Sequence, residues 1–357
     1  MSRTTRNKHT LVGLVALGFL GVGCGGDDAA PNAHPSTEGD AVPVEEPAGE
    51  VVEPGEVGSI DALDAEGLPQ VPPGSGLRLD ESLFKSGRRR YRRLVKDGPD
   101  GILGHGAYVR WHKNGVVEVQ GAFRDGEREG AFIERWDTGL LKSETEYRGG
   151  ELHGRKREYA AEGYRKREVY FEEGLQHGSY LVTTSWYEGV LVNLIEGQFE
   201  HGQKTGAWTY YFNTGERRDS GEFLNDQRTS HWTSWHKDGQ VRLEADYLDG
   251  EYHGLVAEFD EQGRLLFDAT YELGAQQGPR SDYHLNGQRK SLREFSNDLP
   301  EGPMTTWFES GQMQSSGEMR AGRQEGTWTY WNADGSVNED WTGTYVNGER
   351  ASGEETP

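Results

Sequence analysis

Gly206-Ala-Trp-Thr-Tyr-Tyr-Phe-Asn-Thr-Gly215 and Gly326-Thr-Trp-Thr-Tyr-Trp-Asn-Ala-Asp-Gly335 are two copies of one ten-residue unit, and the unit recurs along most of the chain. Its first glycine stands at Gly106, Gly130, Gly154 and Gly178, 24 residues apart. After a 28-residue interval it continues at Gly206, Ser230, Gly254, Gly278, Gly302 and Gly326. A second glycine follows nine residues after most of these, from Gly115 to Gly335. A third comes eleven after that, at Gly126, Gly150, Gly174, Gly250, Gly274 and Gly322, with Asp226 and Asp298 as substitutes. Asn114-Gly115, Asp238-Gly239, Asn286-Gly287, Asp334-Gly335 and Asp249-Gly250 supply the positive φ angles that tight hairpin turns require. Two turns per 24 residues leave two strands of about seven or eight residues, so each repeat is one β-hairpin.

Alternation assigns the faces. After the turn glycine, even positions read Val117-Val119-Gly121-Phe123 and Val241-Leu243-Ala245-Tyr247, while odd positions read Glu118-Gln120-Ala122-Arg124 and Arg242-Glu244-Asp246. A period of two predicts one packed and one wet face. The position eight after the turn is aromatic almost throughout, from Phe123 to Phe295. The first strand has its own ring column at Trp111, Tyr159, Tyr211, Trp235, Phe259, Tyr283, Trp307 and Trp331, read as structural. Small residues recur at Gly121, Thr145, Gly197, Gly221, Ala245, Ala269 and Gly317, which predicts room there for a large ring from the neighbouring strand. In the 28-residue repeat the spacing predicts two added residues in each strand, which keeps every side chain on its face. The last repeat is expected to lengthen only its second strand, giving Tyr345 and Gly348.

These units, closed by Asn347-Gly348, resemble MORN repeats in the bacterial variant with the pattern Gly-x-Trp-x-x-Tyr-x-x-x-Gly, over residues ~85–353. The resemblance implies an elongated single-layer antiparallel sheet of about ten tandem hairpins, all-β, used for protein or membrane contacts. Some bacterial members are named antitoxins. The family has no shared catalytic residues to carry over.

Composition narrows the function. The chain has 357 residues, 51 glycines, one cysteine and a formal charge of −22. A hydrophobic content of 33% is too low for the large layered core of an α/β enzyme, yet 10 Trp, 16 Tyr and 12 Phe exclude simple disorder. Net negative charge argues against nucleic acid as a partner. A single cysteine forbids an internal disulfide or a thiolate metal cage.

Arg3, Arg6 and Lys8 precede the apolar run Leu11 to Val22, which is too short to span a bilayer. Gly21-Val22-Gly23-Cys24 follows and resembles a bacterial lipoprotein lipobox, with Leu20 one place further from the cysteine than usual. The resemblance implies lipidation at Cys24, hence an exported, membrane-anchored protein of the cell envelope. The alternative is an ordinary secreted protein cleaved nearby. Residues 25–80 hold 8 of the 13 prolines, 13 acids against Arg78, and no aromatic residue, which predicts a disordered acidic linker. The organisation is therefore signal 1–24, linker 25–80, degenerate first hairpin 81–105, repeats 106–353 and tail 354–357.

Candidate chemistry is sparse. His105, His153, His177 and His253 each precede a first glycine, but equivalent residues of adjacent repeats lie ~10 Å apart. Zinc needs ligands at ~2 Å, so ladder neighbours cannot share an ion. His112, His236 and His284 meet the same objection. Acid pairs such as Glu244/Asp246 read as solvating charges. No metal, cofactor or catalytic residue is expected. Two basic clusters interrupt the acidic trend and are the candidate partner-binding residues. One is Arg88, Arg89, Arg90, Arg92 and Arg93. The other is Arg155, Lys156 and Arg157 with Arg165, Lys166 and Arg167 on the adjoining strand. The resulting expectation is a non-enzymatic binding scaffold with exposed aromatic anchors. An antitoxin or immunity protein and a glycan-binding or glycan-active protein are the alternatives.

Overall fold

The structure, a computed structural model, describes residues 68–187 and 190–351. The signal segment with Cys24, most of the linker and the tail 354–357 lie outside the described residues. Twenty-three strands, from Arg78–Leu83 to Glu349–Arg350, form one long open antiparallel sheet, with no helix among the described residues. Each strand pairs with its sequence neighbours, as Glu127–Arg135 pairs with Val117–Arg124 on one side and Leu141–Arg148 on the other. The hairpin-repeat fold read from the sequence is the fold observed.

The two edges of the sheet use different turns. On one edge His112 N donates to Val116 O (2.8 Å) and Gly115 N to His112 O (2.9 Å), with Gly115 at φ +94°. This is a three-residue loop closed by a left-handed glycine bulge. Asn114 is not among the positive-φ residues; its Oδ1 instead accepts Val116 N at 3.1 Å. Asp238, Asn286 and Asp334 act likewise at 2.9–3.0 Å. The Asn-Gly and Asp-Gly pairs of this edge are thus selected for a side-chain bond, with only the glycine left-handed.

On the other edge the turns have two central residues, both with positive φ, from Asp125-Gly126 to Asn347-Gly348. That is the type I′ requirement, and Asp249-Gly250 meets it as expected. Their second-residue amides are bonded to the previous hairpin, and several first-residue amides to a side chain. Gly150 N reaches Arg128 O (2.9 Å) on the previous hairpin, and Gly149 N reaches Glu129 Oε2 (2.8 Å). The same carbonyl bond serves Gly126, Gly174, Gly202, Gly250, Gly274 and Gly322. The side-chain bond recurs from Gln277, Glu301 and Glu325 to Asn297, Ala321 and Asn347. Two consecutive residues of one repeat therefore tie down the turn that follows.

The first glycine of each repeat makes a bulge. Between the pairs Gln120–Ile133 and Ala122–Glu129, Gly130, Ala131 and Phe132 face the single residue Gly121. Gly130 has φ +73°, a conformation few side chains tolerate, and Ser230 adopts +57° in its place. The bulge lays the ring two residues on across the small column. A Cβ on Gly221 would sit 2.3 Å from the Trp232 ring, one on Gly317 2.3 Å from Trp328, and one on Gly121 2.7 Å from Phe132. The predicted pocket for a ring is observed, but its occupant is this column and not the Trp111–Trp331 one. The indole N–H is satisfied at the bulge, Trp232 Nε1 donating to Glu222 O (3.0 Å) and Trp328 Nε1 to Glu318 O (3.0 Å).

These rings run edge-to-face along the sheet. Tyr180, Phe199, Trp208, Phe223, Trp232 and Tyr247 form a continuous chain with centroids 5.1–6.3 Å apart. Cations lie on top: Lys204 Nζ is 4.6 Å from the Trp208 ring and Arg228 Cζ 4.4 Å from Trp232. Each ring pair contributes about 0.5–1.5 kcal/mol beyond area burial. With these neighbours, Trp208 and Trp328 are 1% exposed in a sheet one layer thick.

Four expectations change. The linker boundary at 80 falls too late: the first strand begins at Arg78, and Leu68 is buried against Val109 and Trp111. The turn bulge moves Val117 off the face of Val119 to join that cluster, so the even positions do not all share one face. In the 28-residue repeat the strands Leu175–Tyr187 and Val190–Glu200 lengthen by more than two residues each. The last repeat does not lengthen its second strand. After the bridge Trp331–Val337 the chain turns through 338–342, with Thr342 N on Asn338 O (3.0 Å), before the short strand Gly343–Val346.

Candidate functional site

The face expected to be wet carries the first-strand ring column. Tyr159 Oη donates to Glu144 (2.7 Å), Tyr211 Oη to Glu196 (2.9 Å) and Tyr283 Oη to Asp268 (2.6 Å). These carboxylates are odd positions, so both faces hold rings. Burial, then the Glu196 carboxylate, pushes the Tyr211 hydroxyl up to about 12. Trp111 is buried, and Trp235, Phe259, Trp307 and Trp331 are half-buried. None of this column is an exposed anchor. Trp341, outside the column, is an exposed aromatic side chain, at 61%.

The first basic cluster sits on the opening hairpin, at the tip turn and along Arg89–Gly98. Arg89 pairs with Glu81 (3.3 Å) and Arg93 with Asp80 (2.8 Å). Arg92 is half-buried. Arg88 and Arg90 are exposed; Arg88 donates to Lys113 O (3.2 Å), and Arg90 makes no ion pair among the described residues. The tip turns at Phe84, His112–Asn114 and Asp137 border an open depression beside this hairpin.

The second cluster divides. Lys156 faces Val169 beside Arg167, on the face of the ring chain, whereas Arg155 and Arg157 lie on the opposite face with Arg165. Most of these charges are met within the sheet. Lys156 Nζ is 3.0 Å from Glu158, and Arg157 is 2.8 Å from Glu168 and 3.6 Å from Glu144. Arg165 is 2.5 Å from Glu168, and Arg167 lies 5.3 Å from the Tyr180 ring. Burial would raise the Glu168 pKa, but the Arg157 and Arg165 guanidiniums hold it below the usual range. Lys166 is exposed. The six residues do not form one basic surface.

The histidines have structural work. His112, His236 and His284 place Nε2 2.8–2.9 Å from the carbonyls of Arg135, Phe259 and Trp307, linking successive tip turns. A carbonyl only accepts, so Nε2 carries the proton. His253 Nδ1 accepts the turn amide of Leu273 (3.4 Å), and His105 Nδ1 lies 3.0 Å from the Asp125 carboxylate of its turn. Asp125 is held low by the Lys96 ammonium. Among the described residues no three His, Cys, Asp or Glu side chains stand together as a ready metal site. Ladder spacing overlooked one neighbour: His201, in a two-residue turn, lies with its ring centroid 5.4 Å from that of His177.

The chain is thus a repeat protein of β-hairpins. No protein-family model and no curated protein matches it. Among solved structures, the "Crystal Structure of TcdB2-TccC3-Cdc42" is similar at a TM-score of 0.18 and 10% identity, over 73% of this chain and 20% of that one. A likeness at that TM-score carries no argument.

Proposed function

We propose that the chain is a non-enzymatic binding scaffold of the bacterial cell envelope, anchored to a membrane through Cys24 and contacting protein partners through MORN-like hairpin repeats. The observation that carries this reading is the division of labour in the sheet. Most rings and most histidines are engaged in contacts between repeats, which leaves a long framework with exposed charges among its unengaged groups. The clearest surplus is Arg88 and Arg90 at the tip of the first hairpin, which suits an acidic partner surface. The lipobox-like Gly21-Val22-Gly23-Cys24 supports the address.

Cross-linking and pull-down from intact cells, with wild type, Cys24→Ala and Arg88→Glu/Arg90→Glu, tests the reading. Wild type is expected in the membrane fraction with a specific partner, Cys24→Ala in the soluble fraction, and the charge-reversed chain without that partner. Identical fractionation of wild type and Cys24→Ala overturns the anchor. An unchanged partner set in the charge reversal overturns the site.

A further inference from the structure

His177 holds the place of the turn-capping side chains. In the same place His253 accepts the Leu273 amide through Nδ1, and His105 Nδ1 lies 3.0 Å from the Asp125 carboxylate. His177 Nδ1 is shielded from solvent, and no hydrogen-bond partner reaches it. Beside it stand two further donors. The His201 ring lies at 5.4 Å between centroids and 71° between planes. Glu172 Oε2 is 3.6 Å from the same Nδ1.

His201 is the first residue of a two-residue turn with φ +48°, a place that other repeats fill with Asp125, Gly149, Glu173, Asn225, Asp249, Leu273, Asn297, Ala321 and Asn347. Histidine is, with Asn and Asp, one of the residues enriched in that left-handed backbone. The two longer strands of the 28-residue repeat place His201 24 residues after His177, against 20 between His105 and Asp125.

The geometry suits a shared ion. Zinc binds imidazole nitrogen at ~2.0–2.1 Å, so two rings sharing one ion through one nitrogen each have centroids roughly 5–6 Å apart. The observed separation falls in that interval. Glu172 Oε2, 3.6 Å from His177 Nδ1, is the candidate third donor, with water for the remainder. Two imidazoles and a carboxylate suit borderline divalent ions.

We propose that His177 and His201, with Glu172 as third donor, bind a divalent transition-metal ion such as Zn²⁺, which clips the strand Leu175–Tyr187 to the turn that follows its own hairpin. The site is independent of the scaffold reading.

Calorimetric titration of the full chain with ZnCl₂ tests it, using wild type, His177→Gln, His201→Asn, Glu172→Gln and, as a control, His253→Gln. Gln277 and Asn225 already occupy the equivalent places in other repeats, so the first two variants keep local rules of the fold. One Zn²⁺ per chain is expected, roughly tenfold or more weaker in His177→Gln and in His201→Asn. Glu172→Gln should weaken it less, and His253→Gln should leave it unchanged. No binding by wild type, or wild-type binding by both histidine variants, overturns the proposal.

Discussion

Gly221 and Trp232 show how closely single residues are matched across strands. Where the small column is glycine, the facing residue is Phe132, Trp208, Trp232 or Trp328; where it is Ala245, the facing residue is Val256. Gly221→Ala is therefore expected to cost about 1–3 kcal/mol through overpacking against Trp232. In a Trp232→Val background, which reproduces the Ala245–Val256 pair, the same change should cost less than about 0.5 kcal/mol. Urea unfolding of the four proteins measures the coupling; equal costs in both backgrounds would contradict the contact. Turn residues offer a second case. Leu273 holds φ +47° and is exposed, so it endures a left-handed backbone without packing in return. Leu273→Asn should stabilise by about 1 kcal/mol, and an unchanged or lower urea midpoint would refute the strain.

At the scale of the hairpin, ion pairs tie the strands together on the face opposite the ring chain. Glu168 lies between Arg157 and Arg165, and its folded pKa is depressed despite burial. The folded state then binds fewer protons than the unfolded one. Its contribution to stability is complete above the unfolded carboxylate value near ~4.3 and is lost as the pH falls through the folded value. Glu168→Gln is expected to destabilise by about 1–3 kcal/mol at neutral pH, the gap closing below about pH 4. A gap unchanged from pH 7 to pH 3 would locate the cost elsewhere.

Much of this was legible from spacing. Glycines every 24 residues and period-two strands suffice for the hairpins, and the small column revealed that a ring lay opposite. Spacing could not reveal the bulge at Gly130 or Ser230, because a glycine column reads the same as a turn or a bulge. That bulge decides which ring crosses the small column. Nor could alternation survive the turn bulge that carries Val117 to the other face. His201 escaped notice because residues in equivalent places were compared with one another, whereas its contact with His177 joins two different columns.

Over the whole sheet, each hairpin touches only its neighbours, and 23 strands are held in register by repeating one set of bonds. Such arrays gain stability from nearest-neighbour interfaces and not from a central core. The central structural claim is that each two-residue turn is bonded to the preceding hairpin. Amide hydrogen exchange of Gly126, Gly150, Gly174, Gly202, Gly250, Gly274 and Gly322, read by NMR, tests it most directly. These glycines sit at surface turns, where unbonded amides exchange quickly. Their bonds to carbonyls of the previous hairpin predict protection comparable to the strand amides, and exchange at unprotected rates would contradict it.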